Sequence, residues 1–375
     1  MLVERDLREL LKALTMRILI ISTQALPTPP PYYGGLELVA FTDAVRLVEM
    51  GHEVTVIASK HSQASAYLLF PMLQRQIDKV DWYEGIEPNP ANLEPQAFQQ
   101  FLKDRQSSLP SYDVVIDHSW SKQGYTLPNP VIGIIHGLSP YPTGWKPRDK
   151  PCLLGVSKFH AEYLSSHLML TVGVLYDHLP EEPYLAYSTT KDKENMLLFL
   201  ARLDEGKGLN YFLRLCGELP DYKCVVMGDD WVMVNRNYVR QVYQFARNIP
   251  NVEWAGMVPF DLKLEYMRRA KAVFLYPIPP YSEVFGLWAL EAFLMGTPVI
   301  TSPFGAMPEY VINGYNGYII EVKDFLTQAK KIIEDGVPVK ATPQELRQFA
   351  LENFNSRNLV KTLIDYTKKC IKEGW

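Results

Sequence analysis

The chain has 375 residues, of which 47% are hydrophobic and 21% charged, and its formal net charge is −4. This length predicts about two domains, each with its own core, and the near balance of charge excludes nucleic-acid binding as the main function. No apolar run approaches about 18 residues, so a membrane-spanning helix is not expected, although peripheral contact with a membrane is compatible with the composition.

The cysteines stand at positions 152, 216, 224 and 370 and show no Cys-x2-Cys spacing. Most of them lie among apolar residues, which favours a reduced chain over a disulfide or zinc scaffold. The sequence therefore predicts unpaired cysteines and an intracellular protein, located in the cytoplasm or at the inner face of its membrane.

Residues 1–15 place several leucines at helical spacing ahead of a second methionine, Met16. An amphipathic helix on a membrane or a partner would give this pattern. An upstream start codon or a small packing helix is the alternative. The acidic residues argue against a transit peptide, and no secretory apolar segment is present.

Residues 16–22, MRILIIS, form an apolar run that precedes a Pro-rich loop and a helical pattern at 36–50. This order of strand, loop and helix predicts the start of a Rossmann-like unit, with 51–59 as its second strand. Gly34 and Gly35 in the loop do not form Gly-x-Gly-x-x-Gly, so the dinucleotide fingerprint is absent. By themselves the two glycines indicate a flexible loop.

Two further buried strands are predicted within 113–120 and 129–141, and they place His118 and His136 at their carboxyl ends. Those ends of a parallel sheet line the ligand crevice, so the two histidines are candidate site residues. A single histidine at a strand end more often has a structural role than a functional one. The next predicted strand precedes Ser157, which we expect to cap a helix.

The second half of the chain begins with a predicted strand, NMLLFL, followed by Arg202 and Lys207. Lys207-Gly208 is expected to open a helix, so two cations would face a helix N-terminus at one junction. That arrangement suits a diphosphate. Either cation alone would be explained equally well as a solvated surface charge.

Residues 276–310 place two carboxylates near a second predicted helix N-terminus. Glu283 lies in a Pro-rich loop, and Glu291 lies inside a helix expected from Phe285 to Met295. At about 1.5 Å per residue the two carboxylates lie no more than roughly 12 Å apart, a span that suits the two ends of a nucleotide sugar. The free amides at the helix start would face an anion. Glu291 itself is either a buried acid with a function or the one solvent-facing position of an apolar helix.

The segment SEVFGLWALEAFLMGTPVITSPFGAMPEYVINGYNGYII, with Glu-x7-Glu at Glu283 and Glu291, resembles family 4 retaining glycosyltransferases. YYGGLELVA and GHEVT in the first half are similar to the same family. The resemblance implies an α/β protein with the GT-B fold, in which two Rossmann-like domains enclose a deep cleft. It implies an N-terminal domain at 1–178, joined by a final helix at 357–375, and a donor domain at 179–356.

The resemblance also implies roles for individual residues. His136 would contact the donor sugar, Arg202 and Lys207 the diphosphate, Glu283 the sugar hydroxyls and Glu291 the ribose. The remaining implied donor contacts are the glycines and backbone amides at Gly34, Gly35, Gly228, Val258, Val284, Phe285, Gly286 and Leu287. No cofactor or metal is expected, because the two cations and the helix end would stabilise the diphosphate. Tyr176-Asp177 departs from the Asn-Gly that many members of the family have there.

The sequence thus predicts an enzyme that transfers a sugar from a nucleoside diphosphate sugar to a hydroxyl acceptor with retention. The base is uridine or guanosine, and the acceptor, a glycan, lipid or small molecule, stays open, as does the oligomeric state. A nucleotide-sugar epimerase or a phosphorylase on the same scaffold is the nearest alternative. A binding subunit without activity is an alternative of another class, and an NAD oxidoreductase fits less well because the glycine fingerprint is absent.

Overall fold

The computed structural model of the protein describes residues 15–32, 34–88, 96–105, 107, 109–120, 122–138, 151–228 and 235–373. Within these ranges the chain forms a seven-stranded and a six-stranded sheet. Neighbouring strands in both sheets of the described part of the chain run parallel to one another. Each sheet alternates along the chain with helices, so the predicted α/β class with two Rossmann-like units is confirmed.

The first sheet has the strand order β3-β2-β1-β4-β5-β6-β7. Its strands are β1 (Arg17–Ile21), β2 (Glu53–Ala58), β3 (Asp81–Glu84), β4 (Val114–Asp117), β5 (Val131–Ile135), β6 (Cys152–Gly155) and β7 (Gly173–Val174). The central strands are apolar on both faces because helices cover both sides of a parallel sheet. His118 and His136 directly follow β4 and β5, as predicted, at the carboxyl edge of the sheet.

Among the described residues, five helices accompany the first sheet: α1 (Gly35–Glu49), α2 (Ser62–Leu69), α3 (Gln74–Ile77), α4 (Gln96–Arg105) and α5 (Lys158–Leu168). Helix α1 begins directly after Gly34, so the Gly-Gly loop lies at a helix N-terminus. Ser157 caps α5 as expected, because its hydroxyl accepts a hydrogen bond of 3.0 Å from the backbone N–H of His160.

The second sheet has the strand order β10-β9-β8-β11-β12-β13. Its strands are β8 (Met196–Leu200), β9 (Lys223–Met227), β10 (Val252–Gly256), β11 (Ala272–Phe274), β12 (Val299–Thr301) and β13 (Gly317–Ile319). The helices of the second half are α6 (Glu182–Leu185), α7 (Leu209–Gly217), α8 (Arg236–Ala246), α9 (Phe260–Arg269), α10 (Leu287–Leu294), α11 (Met307–Tyr310), α12 (Phe325–Glu334), α13 (Pro343–Asn353) and α14 (Ser356–Glu373).

The chain passes between the two halves twice, and both of these crossings contact Arg46. The side chain of Arg46 is fully buried in α1. Its guanidinium donates to the carboxylates of Glu181 at 2.9 Å and Glu182 at 2.6 Å, and to the hydroxyl of Ser356 at 2.8 Å. Glu181 and Glu182 belong to the linker that leads into the second sheet, and Ser356 begins the helix that returns. One buried cation therefore ties both crossings to the first sheet.

Helix α14 packs against α1 and β5 of the first sheet. A disulfide between Cys152 in β6 and Cys370 in α14 joins the same two parts, and a second disulfide joins Cys216 to Cys224. The prediction of unpaired cysteines is therefore wrong. Cys152 and Cys370 are 218 positions apart, and Cys216 and Cys224 belong to neighbouring elements. Neither pair has the Cys-x2-Cys spacing, so the spacing revealed neither disulfide.

No helix among the described residues is both long and apolar enough to cross a membrane. The leucine-rich stretch predicted as helical at 1–15 lies, apart from residue 15, outside the described ranges.

Candidate active site

A cavity of about 510 Å³ lies between the carboxyl edges of the two sheets, and residues from both halves line it. The deep cleft between two domains was predicted, and carboxyl ends of parallel strands are where such ligand crevices form. Most of the predicted site residues line this cavity. They are Gly34, Gly35, His136, Arg202, Lys207, Glu283, Val284, Gly286, Leu287 and Glu291.

Arg202 and Lys207 reach the cavity from the segment that follows β8. Lys207 ends a single 3₁₀ turn, and Gly208 after it has φ 76°. A Cβ on Gly208 would lie 2.1 Å from the carbonyl oxygen of Tyr276, so only glycine allows this segment to pack against the end of β11. The side chains of Arg202 and Lys207 are 28% and 22% exposed, so the two cations face the cleft and not bulk solvent.

Glu283 lies opposite Lys207, and its carboxylate accepts a hydrogen bond of 2.8 Å from the Lys207 ammonium. The backbone of Glu283 is held by the segment after β12, because its carbonyl accepts from the N–H of Ala306 at 2.8 Å. Arg202 is similarly paired with Asp204 at 2.8 Å. Both cations therefore have a carboxylate partner on the same cavity wall.

Helix α10 begins at Leu287, two residues later than the predicted start at Phe285. Gly286 precedes it with φ 98°, a left-handed conformation that residues with a Cβ rarely adopt. The first amides of a helix have no partner within the helix, and the helix dipole is positive at this end. Because Gly286 and Leu287 line the cavity, the start of α10 offers a site for an anion beside Lys207.

Glu291 is a buried acid and not a solvent-facing position, since only 6% of the residue is exposed. One carboxylate oxygen, Oε1, accepts hydrogen bonds of 2.6 Å from both the Lys263 ammonium and the Tyr184 hydroxyl. Burial and the adjacent Glu291 carboxylate raise the pKa of Tyr184 well above its usual value. The hydroxyl of Tyr184 is therefore a permanent donor to Glu291.

The first sheet contributes a wall with two buried acids and a pair of histidines. His118 and His136 contact one another, with 3.0 Å between His118 Nδ1 and His136 Nε2. Glu37 in the first turn of α1 accepts a hydrogen bond of 2.6 Å from Thr23. Burial raises the pKa of Glu37 to about 7, although the Thr23 hydrogen bond opposes this. Asp177, at the position that departs from the family pattern, lines the cavity beside His136.

Three predicted donor contacts do not line the cavity. Gly228 lies against the neighbouring loop, where a Cβ would be 2.4 Å from the carbonyl oxygen of Ala201. Val258 packs against the core of the second half. The side chain of Phe285 is fully buried and packs against aromatic rings, so only its backbone could meet a ligand. Asp229 and Asp230, next to Gly228, lie outside the described residues.

Sequence reasoning missed Glu37, Asp177, Lys263 and Tyr184. A glutamate two residues after the Gly-Gly pair was a usable signal for Glu37. No comparable signal existed for Lys263, which lies on a helix of mixed polarity, or for Tyr184, whose partner stands 107 positions away. Glu309 is an anchor, since its carboxylate accepts from the first amides of α5 and from the Tyr176 hydroxyl.

Residues 183–347 match the family model described as "Glycosyl transferases group 1". "Uncharacterized glycosyltransferase MJ1178" of Methanocaldococcus jannaschii is 27% identical over 223 residues, which are 59% of this chain and 54% of that protein. "D-inositol 3-phosphate glycosyltransferase" of Mycobacterium sp. is 29% identical over 135 residues, which are 35% of this chain and 30% of that protein. The chain thus spans about half or less of the length of these curated relatives.

Among solved structures, Anabaena Alr3699/HepE in complex with UDP-glucose is similar, with a TM-score of 0.71 and 15% identity. The match covers 94% of this chain and 100% of that one. AviGT4, a glycosyltransferase involved in avilamycin A biosynthesis, gives a TM-score of 0.68 at 19% identity over 96% of this chain and 98% of that one. These likenesses confirm the predicted GT-B fold.

Proposed function

We propose that this protein is a retaining glycosyltransferase of family 4 that transfers a hexosyl group from a uridine or guanosine diphosphate sugar to a hydroxyl acceptor. One observation carries the proposal: Arg202 and Lys207 lie in a cavity between two Rossmann-like halves, which the start of helix α10, Glu283 and Glu291 also line. The match of residues 183–347 to group 1 glycosyl transferases supports it, as does a fold similar to that of a protein solved with UDP-glucose.

The diphosphate would bind between Arg202, Lys207 and the start of α10. As the bond between the sugar and the phosphate breaks, negative charge grows on the departing diphosphate. Fixed cations and amides in a partly enclosed cleft stabilise that charge without first having to reorganise. No metal ion is required by this assignment, because the two side chains and the helix end supply the positive charge.

The two carboxylates near the start of α10 are hydrogen-bonded to ammonium groups, Glu283 to Lys207 and Glu291 to Lys263. A carboxylate in that state is a weak nucleophile, so we assign neither of them to a covalent intermediate. Retention then follows from attack on the face that the diphosphate leaves. The bond from the sugar carbon to the phosphate oxygen breaks, the bond to the acceptor oxygen forms, and the acceptor proton passes to the departing phosphate.

The remaining contacts would position the substrate. Within the described part of the chain, both hydrogen bonds to the Glu291 carboxylate end on Oε1, so we assign its other oxygen, Oε2, to the ribose hydroxyls. Glu283 would orient hydroxyls of the donor sugar, and His136, on the opposite wall, would lie near its reactive carbon. Such positioning converts a bimolecular encounter into a reaction within one bound complex.

Calorimetric titration with UDP, GDP, UDP-glucose and GDP-mannose tests donor binding. Transfer is then measured with glycerol, myo-inositol, methyl glucoside and octyl glucoside as acceptors, and NMR assigns the anomer of the product. We expect one base to bind clearly better than the other and the product to keep the anomeric configuration of the donor. An inverted product would overturn the retaining assignment. Acceptor-independent conversion of the donor would indicate an epimerase, and binding without transfer to any acceptor would indicate a binding subunit.

A further inference from the structure

The two sides of the cavity differ in chemistry. The second half contributes most of the charged side chains, which are Arg202, Asp204, Lys207, Lys263, Glu283 and Glu291. Among the described residues, the first half contributes mainly apolar side chains, which include the partly exposed Pro30, Tyr32, Trp120 and Leu138. We call these four residues the apolar wall. The proposed donor contacts give the apolar wall no role.

The apolar wall is built from segments that follow three strands of the first sheet. Pro30 and Tyr32 lie in the loop between β1 and α1, Trp120 follows β4, and Leu138 follows β5. Because β1, β4 and β5 are adjacent and parallel, their carboxyl ends place the four residues at one edge of the sheet. Half of the Tyr32 surface is exposed, so the apolar wall extends to the mouth of the cavity.

Gly137 determines where the Trp120 ring lies. A Cβ on Gly137 would be 2.7 Å from Cζ3 of the indole, so the ring packs directly on the Gly137 backbone. The carbonyl oxygen of Gly137 lies 3.0 Å from Nε2 of His160. Since Nδ1 of His160 accepts from the backbone N–H of Val156 at 3.2 Å, Nε2 carries the proton and donates to Gly137. Burial lowers the pKa of His160 to about 4, so its ring is neutral and keeps this arrangement at neutral pH.

The carboxyl and imidazole groups on the first half's side of the cavity are nearly enclosed by protein. Among the described lining residues there, such groups belong to Glu37, His136 and Asp177. Only 4% of Glu37 is exposed, and the side chains of His136 and Asp177 are 4% and 11% exposed. A hydrophilic acceptor with hydroxyls on every side would therefore find few partners here, and polar groups left without partners reduce affinity.

We propose that the acceptor is a hydroxyl compound with an apolar body, and that the apolar wall binds this body while the hydroxyl faces the donor sugar. The inference rests on the proposed function and names the class of its acceptor. Alkyl or aryl groups that leave water for such a surface gain affinity in proportion to the apolar area buried. A nucleotide sugar is polar along its whole length, so the donor has no use for the apolar wall, and the second substrate does.

Alkyl glucosides with one head group and different chain lengths test the apolar body. Methyl, butyl and octyl glucoside, each below the concentration at which it forms micelles, are titrated by calorimetry into the enzyme saturated with UDP or GDP. One buried CH₂ group raises affinity about fourfold, and about three such groups raise it about 60-fold. We expect octyl glucoside to bind at least about tenfold more tightly than methyl glucoside. Equal affinities along the series would overturn the inference.

Substitutions in the apolar wall locate the alkyl chain. Leu138→Asp introduces a charge and Trp120→Ala removes the indole ring, whereas Trp120→Phe keeps an aromatic face. The first two variants should lose about tenfold or more in octyl glucoside affinity and little in methyl glucoside affinity, and Trp120→Phe should stay within about threefold of the wild type.

Met169→Asp is the matched control, because Met169 is 89% exposed and does not line the cavity. It should bind octyl glucoside as the wild type does. Unchanged octyl glucoside affinity in both Leu138→Asp and Trp120→Ala would contradict the proposal, as would an equal loss in the control. Thermal melts of all variants show whether a loss reflects unfolding.

Binding of UDP or GDP separates this inference from the proposed function. It should be unchanged in the apolar-wall variants, because the proposed diphosphate contacts lie in the second half. If the wild type binds neither nucleotide, the proposed function fails. If it binds one of them and does not prefer the longer alkyl chain, only the acceptor class is wrong.

A membrane lipid and a soluble compound could both supply a hydroxyl on an apolar body. Sedimentation of the enzyme with phosphatidylcholine vesicles distinguishes these sources. Enzyme that sediments with the vesicles indicates a lipid acceptor, and enzyme that stays in solution while it binds octyl glucoside indicates a soluble one.

Discussion

Replacing Lys207 by methionine removes the ammonium group and keeps most of the apolar stem. The lost interaction is with the diphosphate, for which a unit charge about 4 Å away contributes roughly 4 kcal/mol at an effective dielectric constant near 20. The side chain is 22% exposed, so solvent reduces this value. Removal of one stabilising group from a charged transition state costs about 2.7–4 kcal/mol, or about 10²–10³ in kcat. We expect a loss in that range.

The same substitution also affects the fold, and the two effects must be separated. Lys207→Met leaves the Glu283 carboxylate, 11% exposed, without its ammonium partner. An unpaired buried group of this kind costs about 1–3 kcal/mol of folding stability. We therefore expect a lower Tm but a cooperatively folded protein at 25 °C, so that the activity is still measurable. Turnover with saturating donor and acceptor, together with a thermal melt, gives both quantities.

Lys223→Met is the matched control, because Lys223 also pairs with a glutamate, Glu253, at 2.6 Å. This pair lies at the start of β9, at the end of the sheet that faces away from the cavity. The control should keep wild-type turnover. If Lys207→Met keeps kcat within about threefold of the wild type, or if the control loses as much, the assignment of Lys207 to the leaving diphosphate is refuted.

Three further substitutions test other parts of the structure. Glu291→Gln should raise the donor KM by about tenfold or more, with a smaller change in Tm, and a large loss of Tm with a normal KM would make it a core acid only. Glu37→Gln should flatten the pH dependence of unfolding: the raised pKa means that the wild type loses stability as pH rises from about 4.5 through about 7. Urea melts of both proteins at pH 5 and pH 8 measure this. An equal change in unfolding free energy between the two pH values in the wild type and the variant would contradict it. Arg46→Met should destabilise the protein by about 3–5 kcal/mol, since the Glu181 carboxylate stays buried without its cation, and a change below about 1 kcal/mol in denaturant melts would disprove the network.

The half of the site that follows β8 and β11 could be predicted because its chemistry is local in sequence. Arg202, Lys207, Glu283 and Glu291 each belong to a strand-loop-helix unit, and the direction of a parallel sheet fixes where every such unit ends. The spacing of these residues along the chain was therefore enough to predict that their side chains lie at the same edge of the second sheet. The start of α10 was placed two residues early, because the left-handed Gly286 interrupts the helix that the apolar pattern of Phe285 suggests.

The opposite wall could not be predicted in the same way. The two partners of Asp43, His118 and His178, stand 75 and 135 residues away in sequence. Asp43 itself lies inside helix α1, whose sequence pattern is that of an ordinary buried helix. Arg46, one turn later, is fully buried for the same reason: its partners come from the linker and from residue 356. Long-range partners decide whether a charged residue in an apolar pattern is solvated or buried, and neither composition nor periodicity contains them. The disulfide between Cys152 and Cys370, which are 218 positions apart, escaped prediction on the same grounds.

Three cations of the second half line the cavity, and each is paired with a carboxylate before any ligand binds: Arg202 with Asp204, Lys207 with Glu283 and Lys263 with Glu291. A diphosphate that approaches must compete with these carboxylates for the same ammonium and guanidinium groups, which reduces its net gain. Under the proposed function, the released carboxylates can accept hydrogen bonds from hydroxyl groups of the ligand, which ribose and a sugar carry and inorganic pyrophosphate does not. We therefore expect the site to bind nucleotide sugars more tightly than pyrophosphate.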